Sequence, residues 1–414
     1  MFTLNFAVVQ TFNFRLRMRL SRLSLLVASL MFVSCSQQRR LQKQQPDAVH
    51  LSKERPAVVA FEQDIRPAAE RTRHYFSKLE NKRVGVVANQ TSLIGQTHLV
   101  DSLISSGINI VRVFTPEHGF RGQAEAGEHV DSNIDEKTGL PLISLYGDHR
   151  KPVAEDLEGI DLILFDLQDV GARFYTYIST LTLVMEACAE NRVPLLVLDR
   201  PNPNGFFIDG PVLEQGFSSF VGMHPVPVVH GMTMAEYARM VNGEQWLKDS
   251  VRCDLDWVGN SGYTHRKLYP LPVRPSPNLP DMESVYLYPS LCFFEGTIVS
   301  VGRGTDFPFS IIGFPGYTAG DFTFTPGSRP GASLNPLYKD IECRGLNLRA
   351  EAALLQQNPG IRLKWLIEMY HSYPDKDRFF TSFFSKLAGT DQLRRQIEAG
   401  LSEDEIRASW QQGL

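Results

Sequence analysis

Between residues 83 and 199 the chain alternates short apolar runs with segments of helical period, and this alternation narrows its possible folds more than any other feature. Residues 83–89 (RVGVVAN), 108–114, 141–146, 160–166 and 194–199 are each a nearly continuous stretch of aliphatic side chains. Strands of that kind are buried on both faces, as in a parallel sheet covered by helices on either side. Residues 97–105, with Leu99, Leu103 and Ile104 on one side and Gly107 as a stop, predict one such helix. Residues 179–191 predict another. Thr233-Met234-Ala235-Glu236 opens a third over 233–246 with the hydroxyl and carboxylate of a capping box, so Glu236 reads as a cap and not as a catalyst.

Past residue 248 the texture changes. Prolines and aromatics crowd 271–280, 286–289 and 307–315, and helical patterns return only from residue 362. The expected fold class is α/β, with a Rossmann-like parallel-sheet domain over 61–248 followed by a smaller α+β C-terminal domain over 249–414. Ser402-x-x-Glu405 opens a final helix.

Residues 1–35 have the makeup of an export signal: Arg15, Arg17, Arg19 and Arg22, an apolar run over 23–33, then Ser34-Cys35. A small residue before cysteine at this point is lipobox-like, which makes Cys35 a lipid-bearing residue and the protein a membrane-anchored lipoprotein. Residues 36–60 form a mostly polar tether, without an acidic run just after Cys35, and the expected location is membrane-anchored and facing the periplasm. Among 414 residues the formal net charge is −4, which gives no reason to expect a nucleic-acid partner. Cys188, Cys253, Cys292 and Cys343 form no C-x-x-C motif, and Cys188 continues the apolar series of Leu181, Val184 and Met185, as a core residue does.

Ligands of open parallel sheets bind beyond the carboxyl ends of the strands. Those ends carry Asn89, Glu117-His118, Asp166 with Asp169, and Asp199-Arg200. The first strand runs into Gln90-Thr91-Ser92-Leu93-Ile94-Gly95, without the glycines that let a backbone approach a pyrophosphate, so no nucleotide cofactor is expected. His118, His230, Glu117 and Asp199 lack a metal-ligand spacing, so no metal is expected either, and there is no G-x-S-x-G elbow. Glu295, behind Phe293 and Phe294 and beside Gly296, sits in surroundings that favour the protonated form a general acid needs. Glu117, against His118 and Arg121, is set to stay ionised. Two carboxylates in unlike surroundings are the machinery of glycoside hydrolysis. Phe174, Tyr175 and Tyr177 offer flat faces to a sugar ring, and Arg173, Arg200 and Arg303 offer forks to a carboxylate.

The segments VGVVANQTS (84–92), FTPEHGFRG (114–122), FDLQDVGARFYTY (165–177), LDRPNPNG (198–205), VVHGMT (228–233), RPSPNLP (274–280), FFEGT (293–297) and VGRGTDFPF (301–309) resemble the exo-β-N-acetylmuramidase (NamZ-type) family of bacterial cell-wall proteins. FTFTPGSRPGA (322–332) and SWQ (409–411) extend the likeness almost to the C-terminus. The resemblance implies an active site in the cleft between the two domains and release of a non-reducing terminal N-acetylmuramic acid from peptidoglycan-derived muropeptides or disaccharides. On the residue chemistry above, Glu117 and Glu295 are the expected catalytic pair, and Arg173 or Arg303 is the expected partner of the sugar's lactyl carboxylate. Asn89, His118, Asp169, Asp199 and His230 would line the ring, with Tyr175, Arg200 and Asn278 also at the binding site. Two other readings compete: a non-catalytic sugar- or muropeptide-binding lipoprotein, and a metallohydrolase of cell-wall amides.

Overall fold

Alternate residues of the central strands serve two separate hydrophobic cores. Val84, Val86, Ala88, Leu162, Leu164, Leu196 and Leu198 pack into one, while Val87, Ile163, Phe165, Leu195 and Val197 pack into the other. Side chains of a strand point to opposite faces in turn, so a run with no polar member is what a doubly covered sheet requires.

The structure, a computed structural model, describes residues 65–117, 119–121 and 134–414. The expectations about the export signal, Cys35, the tether and His118 lie outside these residues. Six strands form the main sheet: β1 (Val84–Ala88), β2 (Ile110–Thr115), β3 (Leu142–Ser144), β4 (Leu162–Asp166), β5 (Leu195–Leu198) and β6 (Leu255–Val258). Their order is β6-β5-β4-β1-β2-β3, and every pairing is parallel. The first five coincide with the predicted apolar runs to within a residue or two at their ends. The sixth lies past residue 248, so the sheet takes in part of what the sequence assigns to the second domain. Its central residues Asp256 and Trp257 are exposed, as suits an edge strand, and it therefore lacks an apolar signature.

Helix α1 (Leu99–Ser105) covers one face through Leu99, Val100 and Leu103. Helices α2 (Tyr177–Asn191) and α3 (Met234–Gly243) cover the other, and α3 begins with the reciprocal Thr233–Glu236 capping box. The smaller C-terminal domain has α4 (Met282–Leu291) and a three-stranded antiparallel sheet of β7 (Ile311–Phe314), β8 (Phe322–Phe324) and β9 (Cys343–Asn347), in the order β7-β9-β8. Helices α5 (Glu351–Gln357), α6 (Lys364–Ser372), α7 (Phe384–Ala388), α8 (Gln392–Glu398) and α9 (Glu403–Trp410) complete it. The core on the α2 side continues without a break into Trp365, Phe384, Ile397 and Ile406 of these helices. Cys188, Cys253, Cys292 and Cys343 are all buried and unpaired, Cys188 inside the core as its sequence neighbours predict. Among the described residues no helix is long and apolar enough to cross a membrane.

Candidate active site

Glu117 sits two residues beyond the carboxyl end of β2, and neighbouring strand ends supply the groups that orient it. Thr176, just before α2, donates from Oγ1 to Glu117 Oε2 at 3.1 Å. Tyr146, two residues past β3, hydrogen-bonds the same carboxylate; burial first, and then the negative charge of Glu117, push its hydroxyl up to about 12. Tyr177 donates to the backbone carbonyl of Glu117 at 3.4 Å and accepts from Asn89 Nδ2 at 2.8 Å. Asn89 is fully buried, and its amide oxygen is taken by the backbone N–H and hydroxyl of Thr91. It therefore acts on the site through Tyr177 and not on a ligand.

Glu295 lies in a 3₁₀ turn, Cys292–Gly296, directly after α4. Arg303 donates to its Oε1 through Nε at 2.8 Å, with Nη2 at 2.6 Å from the same oxygen, and the Cys292 thiol donates to Oε2 at 3.5 Å. Burial works against the Arg303 charge, but the adjacent Glu295 carboxylate outweighs it and holds the guanidinium pKa above its ordinary value. Phe293 and Phe294 are buried in the core, whereas the Glu295 side chain is about a quarter exposed. The apolar isolation read from the sequence is thus replaced by an ion pair, and the ground for preferring Glu295 as the acid falls away.

Both glutamates line one cavity of about 580 Å³, together with Tyr146, Arg150, Phe174, Thr176, Tyr288 and Arg303. A recess of about 60 Å³ adjoins it, sharing Glu117, Phe174, Thr176, Tyr288 and Arg303 and adding Tyr175, Tyr177 and Asn278. Tyr175, Tyr177 and Phe174 meet their aromatic neighbours edge to face, and the Tyr175 hydroxyl is fixed on the Pro275 carbonyl at 2.8 Å. Asn278 donates to the Ala332 carbonyl at 2.9 Å, which pins its side chain at the recess wall. Glu117, Glu295, Tyr175, Asn278 and Arg303 are therefore brought together as predicted. Thr176, Tyr146, Tyr288, Arg150 and Lys386 join them unpredicted. Tyr146 was within reach of sequence reasoning, since it closes a strand at the carboxyl end; Lys386 has no local signal at all.

The other predicted residues stand elsewhere. Arg173 is fully buried and donates to the carbonyls of Pro211, Val226, Leu387 and Ala388 at 2.7–3.0 Å. Arg200 grips Asp166 with two hydrogen bonds, 2.6 and 2.7 Å, in a buried ion pair. Asp169 caps Gly171 N at 2.6 Å, and its Oδ2 lies 3.6 Å from His230 Nε2 in the interior; the Met232 N–H occupies His230 Nδ1. Asp199 holds the start of α3 through the Ala235 N–H at 2.9 Å and accepts from Asn260 Nδ2 at 2.9 Å. Polar residues near strand ends brace and cross-link the fold as well as meet ligands, and these five residues do the former. Among the described residues no group of three or more His, Cys, Asp or Glu side chains is placed to hold a metal ion.

Asp199 gives the fold a pH dependence of definite sign. Burial raises its pKa to about 7 against an ordinary 3.8. Between those values the native protein keeps a proton that the unfolded chain releases, so stability falls as pH rises from about 4 to about 7. At ~1.4 kcal/mol per unit, the full effect is at most about 4 kcal/mol. Asp199→Asn, which can still accept from Ala235, is expected to flatten this part of a plot of melting temperature against pH; an unchanged slope assigns it to other groups.

Two family models cover the described chain almost end to end. The N-terminal model of exo-β-N-acetylmuramidase NamZ matches residues 84–283, and its C-terminal model matches residues 286–414. The peptidoglycan β-N-acetylmuramidase NamZ of Bacillus subtilis (strain 168) is 38% identical over 390 residues, covering 89% of this chain and 91% of that protein. Two crystal structures of DUF1343 family proteins from Bacteroides fragilis NCTC 9343 share the fold. One has a TM-score of 0.79 at 46% identity and covers 84% of this chain and 95% of its own; the other has 0.70 at 29%, covering 84% and 94%. The chain, with its parallel sheet, smaller C-terminal domain and paired glutamates in one cavity, belongs to the exo-β-N-acetylmuramidase NamZ family of glycoside hydrolases.

Proposed function

We propose that the protein is an exo-acting hydrolase that releases terminal N-acetylmuramic acid from the non-reducing ends of peptidoglycan fragments, with Glu117 and Glu295 as its catalytic carboxylates. The observation that supports this most is that Glu117, from the sheet domain, and Glu295, from the C-terminal domain, line the same 580 Å³ cavity. That volume suits a sugar residue and part of its neighbour. Phe174 and Tyr288 supply apolar walls for pyranose C–H faces. One carboxyl gives a proton to the glycosidic oxygen, and the other supports the positive charge that develops at the anomeric carbon or activates its attacker. An exported protein anchored through Cys35, as residues 1–60 suggest, would meet such fragments at the membrane.

The test is a screen of chromogenic aryl glycosides. Cleavage of the β-N-acetylmuramic acid glycoside, with the β-N-acetylglucosamine equivalent at least about a hundredfold poorer in kcat/KM, is the expected result on the scale set by an unmatched buried polar group. Saturable binding of N-acetylmuramic acid without turnover of any glycoside would instead identify a binding protein. Chelator-sensitive cleavage of a cell-wall amide, without turnover of any glycoside, would point to the metallohydrolase reading.

A further inference from the structure

Five charged side chains line the cavity: Glu117, Glu295, Arg150, Arg303 and Lys386. Arg303 is committed to Glu295. Among the described residues neither Arg150 nor Lys386 is paired with a carboxylate. Arg150 follows β3 and lays its guanidinium over the Phe220 ring, 4.6 Å from the centroid. A contact with the ring uses part of the guanidinium and leaves N–H groups available to an acceptor. Lys386 lines the same cavity from α7. That helix is seated against the turn bearing Glu295, because a Cβ on Gly296 would collide with the Phe384 backbone. The same close approach that fixes the turn bearing Glu295 thus fixes the helix that carries the lysine.

We propose that Arg150 and Lys386 together form a carboxylate-binding subsite that takes the lactyl group of the terminal sugar; this rests on the muramidase reading above. N-acetylglucosamine carries a hydroxyl where N-acetylmuramic acid carries the lactyl ether, so only the latter answers two cations at the edge of the cavity. The contact is remote from the anomeric carbon and equally strong in the bound substrate and the transition state. It therefore lowers KM without raising kcat. This replaces the assignment of that role to Arg173 or Arg303, one of which is sealed in the core and the other held by a catalytic carboxylate.

Three substrates and three variants test it. The substrates are the chromogenic N-acetylmuramic acid glycoside, its neutral lactyl amide, and the N-acetylglucosamine glycoside. The variants are Arg150→Ala, Lys386→Ala and the double change, all at exposed side chains. Each single change is expected to raise KM for the free acid by roughly tenfold to a hundredfold, the scale of one charge-assisted hydrogen bond, with kcat little altered. The wild type on the neutral amide should behave like the double variant on the acid, and calorimetric binding of free N-acetylmuramic acid should weaken in step. Unchanged KM in the double variant, or equal losses on all three substrates, would overturn the assignment. Failure of the wild type to cleave any N-acetylmuramic acid glycoside is a different result: it removes the muramidase reading, and the subsite falls with it.

Discussion

Glu117→Gln and Glu295→Gln are each expected to lower turnover on an N-acetylmuramic acid glycoside by about a hundredfold or more, with melting temperatures close to that of the wild type. The change is nearly isosteric. At position 117 the amide oxygen can still accept from Thr176 and Tyr146, so the local structure survives while the acid–base function is lost. At position 295 the amide keeps an acceptor for Arg303 but removes the charge, leaving the guanidinium without its counter-ion. A second measurement assigns the roles. Removing the general acid spares aryl glycosides with good leaving groups, because their departure needs little protonation; removing the other carboxylate harms good and poor leaving groups alike. The two variants should therefore separate on a series of leaving groups. Near-normal rates in both folded variants would remove the pair from the chemistry.

That both cavity glutamates could be picked out of the sequence while much of their surroundings could not follows from the physics of each position. β1, β4 and β5 announce themselves because a strand buried on both faces cannot hide its composition, and β6 escapes notice because an edge strand can carry Asp256 and an exposed Trp257. Glu117 follows from the rule that ligands gather at carboxyl strand ends, yet the same rule also selects Asp199 and Arg200. Nothing local distinguishes a carboxylate that meets solvent from one that caps α3 or neutralises a buried guanidinium. That distinction depends on which partner arrives from 34 residues away, as between Asp166 and Arg200. The flanking phenylalanines of Glu295 mislead for a related reason: in a 3₁₀ turn successive side chains fan outward, so Phe293 and Phe294 enter the core while Glu295 faces Arg303.

Arg173→Ala is expected to cost more than about 4 kcal/mol of stability and to leave the preference for N-acetylmuramic acid over N-acetylglucosamine untouched. The guanidinium has no solvent exposure and satisfies four backbone carbonyls, two of them in the sheet domain at Pro211 and Val226 and two at the end of α7. Burial draws its pKa down to about 9, which still leaves it cationic at neutral pH. Truncation orphans all four acceptors, at ~1–3 kcal/mol for each that water cannot reach, and opens a void besides. The chain has been shaped around this one group: a Cβ on Gly389 would stand 2.5 Å from Nη2, and one on Gly222 3.2 Å from Nε. Arg173→Lys cannot repair the loss, because a lysine ammonium has three donors radiating from one point and cannot span four carbonyls on two domains. Should the alanine variant fail to accumulate, the lysine variant carries the test, with a denaturant melt beside two-substrate kinetics. A lower midpoint with an unaltered substrate ratio is the signature of a brace between the two domains. A changed ratio at normal stability would return Arg173 to the substrate and require the cavity to reach a residue that four carbonyls now enclose.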